Sequence, residues 1–397
     1  MSQGVTLEVS RSTRVRWAAT VALLAAAATL VAWTVVGYGE DLFYAYDAIA
    51  LQVVAPVLVV ALGVPAIWSR LLAANIVVFV VLVGIVEVGS RIVAPPPVEK
   101  VKEFIGGRNP RVRDASIGYR AAANVHMRIV ERVDGEPDYD IGYETDAYGR
   151  RVVPFDASKA RDAAVFLGCS FMLGEGVEAA DTIPAVFARE RPSYRPYLYA
   201  LGGYGPSQAL DQFRTRDIAG EIAEPIRLVV YYAIPAHVER TIGTIEIATE
   251  WCGHCANYIG PTAATLVRAG DFNRSRPLTT VVQSALHNSN FLRAIRFTIP
   301  DPRSRASRER TATVLEAVRD EAAKAAPGAR FVVLMHPGME AATGPLRGML
   351  EARGIEVLSL SGVYEGADPR YHVSRFNLHP SAAAHAVIGK LLAEHLS

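Results

Sequence analysis

Five short runs of almost unbroken apolar residues, set apart by longer stretches, constrain this chain more than any other feature in it. They are Ala163–Leu167, Tyr197–Leu201, Arg227–Ile234, Arg330–Met335 and Ile355–Leu360. A strand with one wet face alternates apolar and polar residues, whereas a strand apolar on both faces must be covered on both. The stretches between and after the runs can supply that cover. Arg308–Ala326 carries Val314, Leu315 and Val318 at helical spacing and is stopped by Pro327-Gly328. Ser381–Leu396 carries Val387, Ile388, Leu391 and Leu392 on one face. The pattern predicts a doubly wound α/β domain over 161–397, a mainly parallel five-stranded sheet between helix layers. Ligands in such folds bind beyond the carboxyl ends of the strands.

Ahead of Pro95 the composition changes. The 397 residues are 51% hydrophobic, and the excess is concentrated here. Trp17–Val36, Ala48–Trp68 and Leu71–Val86 with its continuation to Val93 are each long enough for a bilayer core of about 30 Å. Arg11, Arg14 and Arg16 precede the first run, Glu40, Asp41 and Asp47 follow it, and Arg70 links the second to the third. The positive-inside rule then predicts a membrane anchor of three transmembrane helices over 1–95. It leaves the N-terminus in the cytoplasm and everything after Pro95 on the outer face. A cleaved signal peptide is the alternative reading of the first run. Glu87, the one acid within a span, has Arg91 one helical turn on, and an interfacial ion pair is expected. Pro95-Pro96-Pro97 makes a stiff exit. Residues 96–160 then read as a β-rich lead-in, with a turn near Tyr148-Gly149.

Lys and Arg number 41 against 40 Asp and Glu, a net charge of +1. Such a chain has no basic field to attract nucleic acid, and no nucleic-acid partner is expected. The run Arg303–Arg310 reads as the solvated start of a helix.

Three stretches could carry chemistry. Ser170 follows the first apolar run in a turn flanked by Gly168, Gly174 and Gly176. A nucleophilic serine needs an exposed hydroxyl, a base in hydrogen-bond reach and amide donors for the oxyanion. A strand-to-helix turn offers the first and the last; the alternative is a serine capping the helix. Leu201-Gly202-Gly203-Tyr204-Gly205 leaves the sheet after the second run, and the Gly203 amide could face the same oxyanion. His379, in Asn377-Leu378-His379-Pro380 before the last helix, could serve as base. His385 lies within that helix.

Together these stretches resemble the SGNH/GDSL hydrolases, in particular their membrane-anchored bacterial branch, over roughly Asp146 to the C-terminus. "FLGCSFMLGEGV" is similar to the nucleophile block, "GGYGPSQAL" to the glycine block and "NLHPSAAAHAVIGKLL" to the closing block. The resemblance implies an SGNH-like, flavodoxin-like domain on the periplasmic or extracellular side of a bacterial inner membrane. It implies Ser170 as nucleophile, His379 as base, and the Ser170 and Gly203 amides as oxyanion hole, with no cofactor and no metal. The activity implied is that of a serine acyl esterase or O-acyltransferase on acylated envelope or exported glycans, or on small esters. The sequence departs from the pattern in three places. Cys169, read as buried packing, replaces the aspartate before the serine. Asn377 stands where an acid is expected, and an asparagine can orient an imidazole without stabilising its charged form; Asp368 is the nearest acid upstream. The third block lacks its oxyanion asparagine and reads Ile234-Pro235-Ala236-His237, which leaves His237 as a substitute donor or the hole smaller. Losing one such donor costs about 10²–10³ in rate, so a catalytically silent glycan- or partner-binding module is the rival reading.

Trp251-Cys252-Gly253-His254-Cys255 carries the active-site string of the disulfide isomerases. A thiol-disulfide oxidoreductase needs the first cysteine at a helix N-terminus directly after a strand. The surrounding sequence is too broken by Gly and Pro for that, and in an oxidising compartment a local disulfide between Cys252 and Cys255 is expected.

Overall fold

The computed structural model describes residues 70–93, 98–343, 345–364 and 368–396. The first two apolar runs of the front end lie outside these residues. The third falls on the helix Arg70–Val93, along which Val78, Phe79, Ile85 and Ile92 are exposed. Among the described residues no helix is long and apolar enough to cross a membrane. Glu87 does not make the expected pair with Arg91 among those residues. Its carboxylate accepts the backbone N–H of Asn290 at 2.7 Å and the Ser289 hydroxyl instead. This helix and Val281–Phe297 belong to one compact unit; the described residues from Val98 to Thr280 and from Thr298 onward form the other.

The second unit opens with β1 (Lys100–Ile105), β2 (Arg111–Asp114), β3 (Gly118–Ala121), β4 (His126–Val133) and β5 (Glu136–Glu144). β4 and β5 form a hairpin through Asp134-Gly135, both at positive φ, the pair that a tight antiparallel turn favours. β1 pairs antiparallel with the other edge of β4, and β2 with β3. Along β5, Tyr139, Ile141 and Tyr143 are buried while Asp140, Gly142 and Glu144 are exposed. The period of two gives this small sheet one apolar face.

β6 (Asp162–Leu167), β7 (Tyr194–Leu198) and β8 (Ile226–Ala233) follow, then the hairpin of β9 (Ala256–Ile259) and β10 (Val267–Asp271), then β11 (Arg330–Met335) and β12 (Glu356–Ser359). Five of these make a parallel sheet in the order β12-β11-β8-β6-β7. The chain leaves β6 for β7 on one side and returns to β8 on the other, so the order reverses beside β6. The carboxyl end of β6 is therefore the switch point, where such folds open a crevice. The chain closes with β13 (His372–Ser374), β14 (Asn377–Pro380) and the helix Ala382–His395.

The strands are apolar on both faces because two cores flank the sheet. Phe166, Val230, Tyr232 and Leu334 point into one, Val165, Leu167, Tyr231 and Val333 into the other. The helix Arg305–Ala325 covers the second face with Val314, Leu315 and Val318 fully buried, each worth about 1.5–3 kcal/mol relative to exposure. The first face is shared. Ile388 and Leu392 of the closing helix meet there with Ile129, Tyr139 and Ile141 of the lead-in, so no break in packing separates lead-in from sheet at residue 160.

Two sequence expectations shift. The second strand is Tyr194–Leu198, three residues earlier than the apolar run, because Tyr199, Ala200 and Leu201 stay buried after leaving the sheet. The Arg303–Arg310 run does start a helix, N-capped by the Ser304 hydroxyl, which accepts Ser307 N–H at 3.1 Å. It is not all solvated: Arg310 turns inward and donates to Asn257 Oδ1 at 2.8 Å.

Candidate active site

Ser170 stands one turn beyond β6. Gly168 has φ 143°, and a Cβ there would lie 3.1 Å from the Met172 side chain and 3.2 Å from the Tyr232 carbonyl, so only glycine lets the strand break open at this point. Cys169 is fully buried in the core, as packing, and Ser170 begins the helical turn Ser170–Leu173. Arg151 braces the loop from below: its Nη1 donates to the Leu173 and Gly174 carbonyls, both at 2.8 Å, and its Nη2 to that of Val177 at 2.7 Å.

The hairpin of β13 and β14 brings His379 to the same place. Its Nε2 lies 2.8 Å from Ser170 Oγ, and its Nδ1 lies 2.6 Å from Asn377 Oδ1. An amide oxygen only accepts, so Nδ1 carries the proton and Nε2 presents its lone pair to the serine hydroxyl. That is the tautomer a general base needs. The Phe171 ring packs 5.0 Å from the imidazole. Burial lowers the His379 pKa below 6.5, with Glu175 opposing it and Lys102 adding to it, so the ring is neutral at neutral pH.

The loop after β7 passes alongside. A Cβ on Gly202 would lie 3.9 Å from that of Ser170. Gly203 has φ 87°, and a Cβ there would lie 2.3 Å from the Tyr119 hydroxyl, which donates to the Gly202 carbonyl at 2.8 Å. Among the described residues, no backbone carbonyl takes the N–H of Ser170 or of Gly203.

The other candidates lie elsewhere. His237 is no oxyanion donor: it is fully buried among residues of the second core, with Nδ1 2.8 Å from Tyr231 Oη, and burial holds its pKa well below the usual histidine value. Asp368 does not serve His379; its carboxylate accepts Arg370 N–H at 2.9 Å and pairs with the Arg370 guanidinium. His385 is structural, accepting the backbone N–H of Ile183 at 2.9 Å, and burial lowers its pKa to about 3. Cys252 and Cys255 form a disulfide. Cys252 follows the C-terminal end of the turn Ile247–Trp251, where the carbonyl dipoles disfavour a thiolate, and both cysteines are buried. The redox reading has no support in that geometry.

Sequence reasoning missed the lead-in's share of the site. Glu175 Oε2 lies 3.8 Å from His379 Nε2. Burial would raise the Glu175 pKa, but Lys102, His379 and Arg111 outweigh it and hold the group ionised. Lys102 of β1 bridges Glu175 at 2.7 Å and Glu131 of β4 at 2.8 Å. Asp138 of β5 accepts from Asn377 Nδ2 at 2.9 Å. A cleft of about 240 Å³ opens beside Gly202, walled by Phe104, Ile129 and Ile141 of the lead-in and by Leu173, Glu175 and Leu201. Only Glu175 had a signal in reach, five residues after the serine; the rest come from strands with no chemical motif.

No family model and no curated protein matches this chain. Among solved structures it is similar to the lipase Lip_vut3 from a goat rumen metagenome, at 13% identity over 59% of this chain and 97% of that one, TM-score 0.36. It is similar to a lipolytic protein of the G-D-S-L family from Veillonella parvula, at 9% identity over 59% and 97%, TM-score 0.33. A family two carbohydrate esterase from Cellvibrio japonicus aligns at 10% identity over 76% and 97%, TM-score 0.32.

Proposed function

We propose that this chain is a serine esterase or O-acyltransferase of the SGNH type. The observation that carries the reading is the 2.8 Å contact between Ser170 Oγ and His379 Nε2, with Nδ1 engaged by Asn377. Ser170 attacks the acyl carbonyl as His379 takes its proton, and the Ser170 and Gly203 amides receive the oxyanion. His379 then protonates the departing alcohol, leaving an acyl-enzyme. Water or a sugar hydroxyl, deprotonated by the same imidazole, releases the acyl group. The substrate class we infer is an acylated envelope or exported carbohydrate, or a small ester. From the apolar runs before Pro95 and the arginines ahead of the first of them, we infer attachment to a cell membrane with the catalytic domain on its outer side.

A fluorophosphonate probe tests the chemistry without knowledge of the substrate. It should label the wild-type chain and not the Ser170→Ala or His379→Ala variants, with hydrolysis of p-nitrophenyl acetate lost in parallel. His237 is turned away from the hole, and an amide stands in the place of the triad acid; these two observations favour a silent binding module. Absence of labelling in folded wild type would decide for that module.

A further inference from the structure

An asparagine beside a catalytic histidine carries a hazard that an aspartate does not. The two ends of its side-chain amide have nearly the same shape and opposite hydrogen-bonding character. Flipped, Asn377 would present NH₂ to His379 Nδ1. That nitrogen would have to accept, the proton would move to Nε2, and no lone pair would face Ser170. Something must hold the amide one way round.

We infer that Asp138 is the residue that does so, a positioning residue for His379 acting through Asn377; the inference rests on the catalytic reading above. The Asp138 carboxylate lies 2.9 Å from Asn377 Nδ2. An ionised carboxylate only accepts, so a flipped amide would set two acceptors against each other with no hydrogen between them. The carboxylate is itself fixed, since its other oxygen accepts from the Ser374 hydroxyl, whose oxygen accepts Phe376 N–H at 3.0 Å. Asn377 Oδ1 is held further by the backbone N–H of His379 at 3.1 Å. The line runs from carboxylate to amide to imidazole to hydroxyl. In such a chain the negative end polarises each following bond. Asp138 thus restores, one residue removed, part of what the absent triad acid supplies, and it comes from β5, 239 residues before Asn377.

The experiment moves the charge along the line. Asp138→Asn should lower kcat, toward the roughly 10⁴-fold loss that follows a wrong histidine tautomer, with KM little changed. Asn377→Asp alone should also be impaired near neutral pH, because two carboxylates in contact share a proton. The double variant Asp138→Asn/Asn377→Asp places the carboxylate on His379 with an amide behind it. It should recover at least wild-type kcat, with the acid limb of kcat/KM moved to higher pH, since a carboxylate favours the imidazolium. A merely structural Asp138 predicts a double variant no better than the worse single, and that result overturns the inference. So does an Asp138→Asn kcat within twofold of wild type. Spectra of the ¹⁵N-histidine-labelled chain, with His379→Gln for assignment, read the tautomer independently of turnover. Wild type should show a proton on Nδ1 and Asp138→Asn should lose that preference; an unchanged tautomer also overturns the inference. A wild type unreactive to fluorophosphonate would instead remove the catalytic reading and leave the tautomer result standing. If Asp138→Asn fails to fold, the double variant, which keeps a hydrogen-bonded pair at these positions, carries the test.

Discussion

Gly203→Ala probes the tightest place in the site. The new methyl would lie 2.3 Å from Tyr119 Oη, far inside contact, and Tyr119 cannot swing aside. It is buried, its ring meets that of Tyr204 at 5.3 Å, and its carbonyl accepts the Tyr204 hydroxyl at 2.6 Å. The φ of 87° adds backbone strain of about 1–2 kcal/mol for an L-residue, and relieving the overlap costs a further ~1–3 kcal/mol. The expected loss is therefore about 2–5 kcal/mol, with kcat falling as the Gly203 amide leaves its position. Tyr119→Phe alone removes one hydrogen bond, about 1 kcal/mol. The Gly202 carbonyl keeps its second donor, Arg111 Nη2 at 3.0 Å. In the double variant the nearest Tyr119 atom becomes Cζ at 3.6 Å, ordinary contact, so the overlap term vanishes and the strain remains. Urea denaturation of the four proteins should give a favourable coupling of about 1–3 kcal/mol, with part of kcat recovered. Simple additivity would refute the clash, and an undiminished kcat in Gly203→Ala would remove the Gly203 amide from the oxyanion hole.

Two further outcomes can be checked. The base works only when neutral, so in wild type the acid limb of kcat/KM should lie below pH 6.5; Glu175→Gln removes the largest charge opposing that depression and should move the limb to still lower pH, so a pH–rate profile unmoved or moved upward contradicts the assignment. Replacing Cys252 and Cys255 by serine opens a loop worth about 2 kcal/mol of chain entropy and should lower the melting temperature without changing the turnover of folded protein, whereas esterase loss in a folded variant would give the disulfide a catalytic part.

The sheet was legible because its signal is local. Runs such as Arg330–Met335 are apolar on both faces only when both are covered, and β11 spans those same residues. Ser170 and His379 were legible for the same reason, each sitting at an element boundary beside its own short motif. The end of β7 was not, because Tyr199 to Leu201 are buried without being strand, and hydrophobicity reports burial alone. Whether His237 replaced the missing donor could not be read, because nothing local tells which way a side chain just beyond a strand will turn. Asp138, Lys102 and Tyr119 could not be found at all. Each is an ordinary polar residue of a short strand, and what gives it a part in the site is the packing of the lead-in against loops that follow much later in the chain.

That packing has a consequence for how the molecule comes into being. The strand bearing Asp138 is made long before the hairpin it steadies, which begins at His372. Local segments can organise during synthesis, but this contact must wait for that hairpin and for closure over more than two hundred residues. A chain interrupted before His379 therefore leaves the hydroxyl of Ser170 without its partner.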